Sequence, residues 1–267
     1  MRILYVSTEL VPYTPENTLS NTALELPKTM YGKGNDVRIF LPRFGTINER
    51  RHQLHEVKRL CGINLIVNDM DQPLIIKVAS LPNDRLQVYF IDNEEYFKRK
   101  GIYESKDGDF FDDNDERAIF YTKGILETVK KLNWKPDVIH AQGWMTAFMP
   151  LYLRKYYAED AFFKDVKMVY SVFDHSFDGE LSENLLSKLA FDGIEGEDVE
   201  HLKKPNFSNL VKVGIENSDI IVQGDEVIPK EFIDHALDNK KEFTGYQTID
   251  NLCEIYPTIF NGNGVEK

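Results

Sequence analysis

The chain has 267 residues, 42% hydrophobic and 12% aromatic, enough apolar material for a packed core and too much for wholesale disorder. With 32 basic residues against 44 acidic, its net charge of −12 argues against nucleic acid or an anionic membrane as partner and is neutral towards sugars. No apolar stretch approaches the ~20 residues of a membrane span, and the apolar run near Met1 is too short for a signal peptide.

Ile3 to Val6 reads as a buried strand. Leu19, Ala23, Leu26 and Met30 recur at helical spacing and close at Gly32-Lys33-Gly34. Asp36 to Leu41, stopped by Pro42, completes a βαβ unit and predicts a parallel sheet. Three strand-like runs follow without a helix, Ile63–Val67, Leu74–Ala79 and Leu86–Ile91, and predict an antiparallel extension beside the main sheet. Alternation then resumes: a helix from Asn114 to Leu132, strand Asp137–His140, helix Thr146–Tyr157, strand Val166–Val172 and a helix over Leu181–Phe191. Helix Leu210–Asn217, strand Asp219–Val222 and helix Glu226–Leu237 close the series. The expected architecture is α/β: a single doubly wound Rossmann-like domain over residues 1–260, followed by a polar, Gly-rich tail over 261–267.

Phosphate-binding signatures are missing. No Gly-x-Gly-x-x-Gly follows the first strand and no P-loop occurs, so the sequence predicts no cofactor. In the loop after strand one, Pro15 lacks an N–H to donate and Glu16 repels phosphate. Asp107, Asp109, Asp112, Asp113, Asp115 and Glu116 lack the ligand order of a calcium loop and read as a solvated loop capping a helix. His52 and His55 read as a surface pair, and Cys61 and Cys253 as free thiols of a reducing compartment. The sequence therefore predicts no metal site and a cytoplasmic protein.

Two segments leave strand ends at the sheet edge where open α/β folds bind ligands. One is His140-Ala141-Gln142-Gly143-Trp144-Met145-Thr146, which between His140 and Trp144 holds no acid or base. The other is Phe173-Asp174-His175-Ser176-Phe177-Asp178-Gly179-Glu180. Its Asp174, His175, Asp178 and Glu180 supply an acid–base set, or else the turns and caps of a polar loop.

Several ordered segments together resemble bacterial glycogen and plant starch synthases, retaining glucosyltransferases of family 5. They are Ile3–Pro12, Leu26-Pro27-Lys28, Gly34–Arg38, Leu41-Pro42-Arg43-Phe44-Gly45, Val88–Phe97 through Gly101-Ile102-Tyr103, Asp113–Arg117 and Trp134–His140. The resemblance covers essentially the whole chain. It implies the first half of a GT-B fold, ADP-glucose as donor and an α-1,4-glucan as acceptor. It also implies substrate contacts from Glu9, Asn17, Thr18, His140 and Trp144.

The departures cluster at the implied site. The family's first-loop Lys-Thr-Gly-Gly-Leu-Ala-Asp stands here as Pro15-Glu16-Asn17-Thr18-Leu19-Ser20-Asn21. Its His-Cys-His-Asp-Trp-His-Thr stands as His140 to Thr146, so Met145 takes the place of the histidine on the transferred glucose. Its Thr-Ile-His-Asn-Leu-x-Tyr-Gln-Gly stands as Ser171 to Gly179, with Phe173 and Asp174 in place of His-Asn. A second Rossmann domain, with most of the nucleotide contacts and an Arg–Lys pair for the diphosphate, follows an Asn-Gly-Ile-Asp hinge in the family. Asn261-Gly262-Asn263-Gly264 lies near that hinge, and the sequence ends at Lys267.

These observations predict a vestigial cleft of Glu9, Gln142, Trp144, Met145, Phe173, Asp174 and His175 with no transferase activity of its own, a pseudoenzyme with a glucan-binding or assembly role in glycogen metabolism. Its partners would be α-glucan or weakly held ADP-glucose, with a protein partner or a second copy over the open cleft; Met145 and Phe173 would be covered by such a chain or by local repacking. Two alternatives stand beside it: a glucosyltransferase completed by a second chain, and a hydrolase rebuilt on Asp174, His175 and Asp178.

Overall fold

Ile3, Leu4, Tyr5 and Val6 are all wholly buried, which a strand achieves when both faces of its sheet are covered. In the computed structural model, which describes residues 1–60, 62–82 and 85–261, they form β1 (Arg2–Ser7). The further strands are β2 (Asp36–Pro42), β3 (His55–Glu56), β4 (Ile63–Val67), β5 (Met70–Ser80), β6 (Gln87–Asp92), β7 (Val138–Gln142), β8 (Lys167–Val172), β9 (Ile220–Gln223) and β10 (Glu242–Thr244). They build one open sheet in the order β10-β9-β8-β7-β1-β2-β6-β5-β3, with β4 on β5. Every pairing from β10 across to β6 is parallel.

From β1 the chain order runs outward through β2 and β6 on one side and through β7, β8, β9 and β10 on the other, so the winding reverses between β1 and β7. With right-handed crossovers, that reversal puts helices on both faces and opens a crevice beyond the carboxyl ends of the strands. Register brings Ser7 opposite Gln142, and Gln142 opposite Ser171, at that crest.

The helices are α1 (Thr18–Gly32), α2 (Glu94–Phe97), α3 (Asn114–Lys131), α4 (Phe148–Arg154), α5 (Leu185–Phe191), α6 (Phe207–Glu216), α7 (Lys230–Asp238), α8 (Ile249–Cys253) and α9 (Ile255–Asn261). α1 buries Leu19, Ala23, Leu26 and Met30, as their spacing predicts. It opens on a capping box in which Asn17 Oδ1 accepts the Ser20 N–H and Ser20 Oγ accepts the Asn17 N–H. Among the described residues no helix is long and apolar enough to cross a membrane.

Three expectations need correction and one gap is filled. Leu86–Ile91 is not confined to the antiparallel extension; as β6 it pairs parallel with β2 on one side and antiparallel with β5 on the other, and β3 and β4 pair antiparallel with β5. The helix expected from Thr146 is a 3-10 turn over Trp144–Thr146 followed by the short α4. The acidic stretch before α3 is not all solvated. Asp115 is fully buried, and Lys188 bridges it at 2.7 Å to Glu116 at 2.9 Å. Finally, β10, α8 and α9 occupy residues the sequence left unassigned. α8 returns to α1, with Lys33 paired to Glu254 at 2.7 Å, and α9 buries Tyr256 beneath the sheet. Of the expected tail, Asn261 ends α9 and 262–267 lie outside the described residues.

Candidate functional site

Glu9 is the hub of the crest. The loop leaving β1 turns its side chain inward, where it is 2% exposed. One carboxylate oxygen accepts from Tyr103 Oη at 3.0 Å and lies 3.5 Å from His175 Nε2. The other accepts from Asn17 Nδ2 at 2.6 Å. Thr8 Oγ1 shares a 2.6 Å hydrogen bond with the same Tyr103 hydroxyl. Burial, reinforced by the Glu9 charge, holds that hydroxyl's pKa well above its ordinary value, so it stays a neutral donor. Glu9 thereby ties together the ends of β1 and β8, the start of α1 and the loop carrying Tyr103.

Aromatic rings floor one side of this hub. Trp144 is buried under Tyr103 and Phe177, with ring centroids 5.0 and 4.7 Å away, and Phe110 stacks on Phe177 at 4.9 Å. Tyr103, Phe110 and Phe177 border a cleft of about 670 Å³ whose polar lining includes Glu9, Asn17, Lys100, His175 and Asp178. Apolar ring faces with acidic and amide groups at their edge suit a sugar, which presents C–H faces and hydroxyl rims.

On the far side of Asn17 the chemistry changes. Asn17, Thr18, His175, Asp174, Asp225, Glu226 and Tyr246 line a second recess of about 540 Å³. The N-terminus of α1 points its positive end here, with no acidic residue in its first turn. Asp174, Asp225 and Glu226 offset it, and Asp225 accepts the Asp174 N–H at 2.7 Å. This recess is poorly suited to a diphosphate.

Several side chains expected at the cleft lie beneath it. His140 is wholly buried between Tyr256 Oη and Ser171 Oγ, each 2.6 Å from a ring nitrogen. Burial lowers its pKa to about 3, so the ring is neutral at ordinary pH and packed away from any surface ligand. Gln142 is also fully buried, and among the described residues neither its amide atoms nor the Trp144 indole nitrogen has a hydrogen-bond partner. Met145 is fully buried and Phe173 is 3% exposed. Of the two expected covers, another chain or local repacking, their own chain supplies the burial. Phe173 packs where Gly224 leaves room, since a Cβ there would sit 2.6 Å from the ring. Gly143 holds φ +83° between Gln142 and Trp144, a conformation that favours glycine.

The structure therefore brings Asn17, Thr18, Asp174 and His175 together at the crest around the buried Glu9, with Trp144 as support. Asp178 joins the aromatic cleft rather than the Asp174 recess. Sequence reasoning missed Phe110, Phe177, Asp225 and Tyr246. Only Phe177, inside a segment already singled out, carried any signal.

Residues 2–239 match the family described as starch synthase catalytic domain. The chain belongs to this family. Glycogen synthase of Chlorobium phaeobacteroides is 35% identical over 264 residues, 98% of this chain and 52% of that protein. Glycogen synthase of Chlorobium limicola is 33% identical over 238 residues, 89% of this chain and 48% of its own length. The chain thus spans about half the length of the curated relatives it matches. Among solved structures, the catalytic domain of starch synthase IV from Arabidopsis thaliana, bound to ADP and acarbose, superposes with a TM-score of 0.72. That match is 20% identical and covers 92% of this chain and 51% of the other, which supports the fold.

Proposed function

We propose that residues 1–260 form a starch-synthase-type half that holds an α-glucan in the aromatic cleft and does not by itself transfer glucose from ADP-glucose. The observation that carries the reading is Met145. It stands where the family resemblance implies a glucose-contacting histidine, and it is fully buried. A thioether has no proton to donate to a sugar hydroxyl. Pro15, Glu16, Asp225 and Glu226 further weaken any hold on a diphosphate, and losing one preorganised contact of this kind slows comparable reactions by ~10²–10³-fold. A buried free thiol at Cys253 fits a reducing compartment such as the cytoplasm.

The test pairs two assays on the purified chain. Glycogen co-sedimentation reads glucan binding, and release of ADP from ADP-glucose in the presence of glycogen reads transfer. Glucan binding without ADP release is expected; ADP release by the chain alone would overturn the reading.

One observation favours a second reading. His175 stands beside the Glu9 carboxylate with Asp178 nearby in the same cleft, an arrangement available to a hydrolase. Release of glucose or oligosaccharide from glycogen, lost in His175→Ala, would select it. If a separate chain supplies a second Rossmann half, ADP release would appear only on mixing the two.

A further inference from the structure

At the amino-terminal edge of the sheet, opposite the crest, three side chains from three elements converge. Glu216 is the last residue of α6, four positions before β9 enters the sheet. Its Oε1 lies 2.9 Å from His201 Nε2 and 2.9 Å from His235 Nε2. The two imidazole rings meet edge to face, 5.4 Å between centroids. Sequence spacing gives no hint of this group, because the fold alone assembles it.

We propose that His201, Glu216 and His235 bind a zinc(II) ion. Zinc bonds nitrogen and oxygen at about 2.0–2.1 Å, so tetrahedral ligand atoms stand about 3.3 Å apart. All three ligand atoms here lie within 4.8 Å of one another, and the two Nε2–Oε1 separations need to open by only a few tenths of an ångström. Two imidazoles and a carboxylate are a borderline donor set that favours zinc, cobalt or nickel over magnesium or calcium.

The electrostatics agree. Glu216 ends α6, His235 lies in the last turn of α7 and His201 in that of the 3-10 helix over Gly196–Lys203. Helix carboxyl ends carry partial negative charge and favour a cation. Both α7 and the 3-10 helix pack on α6, which holds the donors in place before any ion arrives. The three side chains are 38%, 26% and 17% exposed, leaving a face open for entry and for water as fourth ligand. Bound there, zinc clamps the 3-10 helix to α6 and α7, away from the glucan cleft.

Calorimetric titration of ZnCl₂ into the EDTA-stripped full chain tests the site, with MgCl₂ as comparison. One equivalent of zinc should bind, raise the thermal midpoint and find no counterpart with magnesium. His201→Ala and His235→Ala should each weaken zinc binding by ~100-fold or more. Should either alanine variant fail to fold, Glu216→Gln keeps a hydrogen-bond acceptor for both rings while removing the anionic ligand, and it too should lose the binding. Cobalt(II) added to the wild-type chain should give the visible absorption of a four-coordinate nitrogen–oxygen site, absent from Glu216→Gln. Lack of zinc binding by the stripped chain, or binding unchanged in these variants, would overturn the proposal.

Discussion

Asn17 donates through Nδ2 to the Glu9 carboxylate at 2.6 Å while its Oδ1 accepts the Ser20 N–H that starts α1. A single amide therefore fastens the helix to the carboxyl end of β1, and Glu9 passes that link on to Tyr103. Removing the carboxylate strands two donors at once. Glu9→Ala should lose ~2–4 kcal/mol of stability, as expected for buried hydrogen bonds to a charged group. Asn17→Ala should lose ~1–2 kcal/mol through the cap and this bond. Because the two share a contact, the double variant should lose less than the sum. Urea unfolding of the four proteins measures this, and strict additivity would mean that the link carries no energy.

His140 sets a dependence on acid. Burial lowers its pKa to about 3, whereas an exposed histidine in the unfolded chain titrates near 6.5. Between those values the unfolded state binds a proton that the folded state refuses, so the group takes stability away as pH falls. The slope is about 1.4 kcal/mol per pH unit in that window and vanishes above it. Stability of wild type minus His140→Gln, followed by urea denaturation from pH 7 to 4, should shrink steadily below pH 6.5. A pH-independent difference would show that the ring charges inside the fold.

Gln142 is fully buried, and both its amide atoms are unpaired among the described residues. A desolvated, unpartnered polar group costs ~1–3 kcal/mol, and an apolar group of the same shape avoids that penalty. Gln142→Met should leave stability unchanged or raise it by ~1 kcal/mol. A loss larger than ~1 kcal/mol in thermal or urea unfolding would mean that the amide is held by bonds the chain alone does not reveal.

The sheet and its helices were legible because β1, β2, β7 and β8 are continuous apolar runs separated by amphipathic helices, a local pattern. The fate of Leu86–Ile91 was not, because an apolar strand reads the same beside a parallel or an antiparallel neighbour. β10, α8 and α9 were missed for a different reason. Tyr256 earns its burial from His140 and Tyr5, residues more than a hundred positions away. At the site, the loss of charge from His140 to Thr146 was visible in the letters, but burial of Met145 and Phe173 by their own chain depended on contacts such as that with Gly224.

Phe177 and Phe110 offer ring faces at the proposed glucan cleft, and Trp144 supports them from below. Phe177→Ala should reduce glycogen co-sedimentation by ~10-fold, the equivalent of about 1.4 kcal/mol. Trp144→Ala removes the support and should weaken glycogen binding together with stability. Unchanged glycogen binding in Phe177→Ala would move the glucan site elsewhere.

The most direct measurement gives the purified chain ADP-glucose and glycogen and follows ADP release with time. Buried Met145 and the acidic recess of Asp174, Asp225 and Glu226 predict no ADP above the enzyme-free background, alongside retained glycogen binding. Steady ADP release that disappears in Asp174→Ala or His175→Ala would contradict the account and make this crest a rebuilt catalytic site.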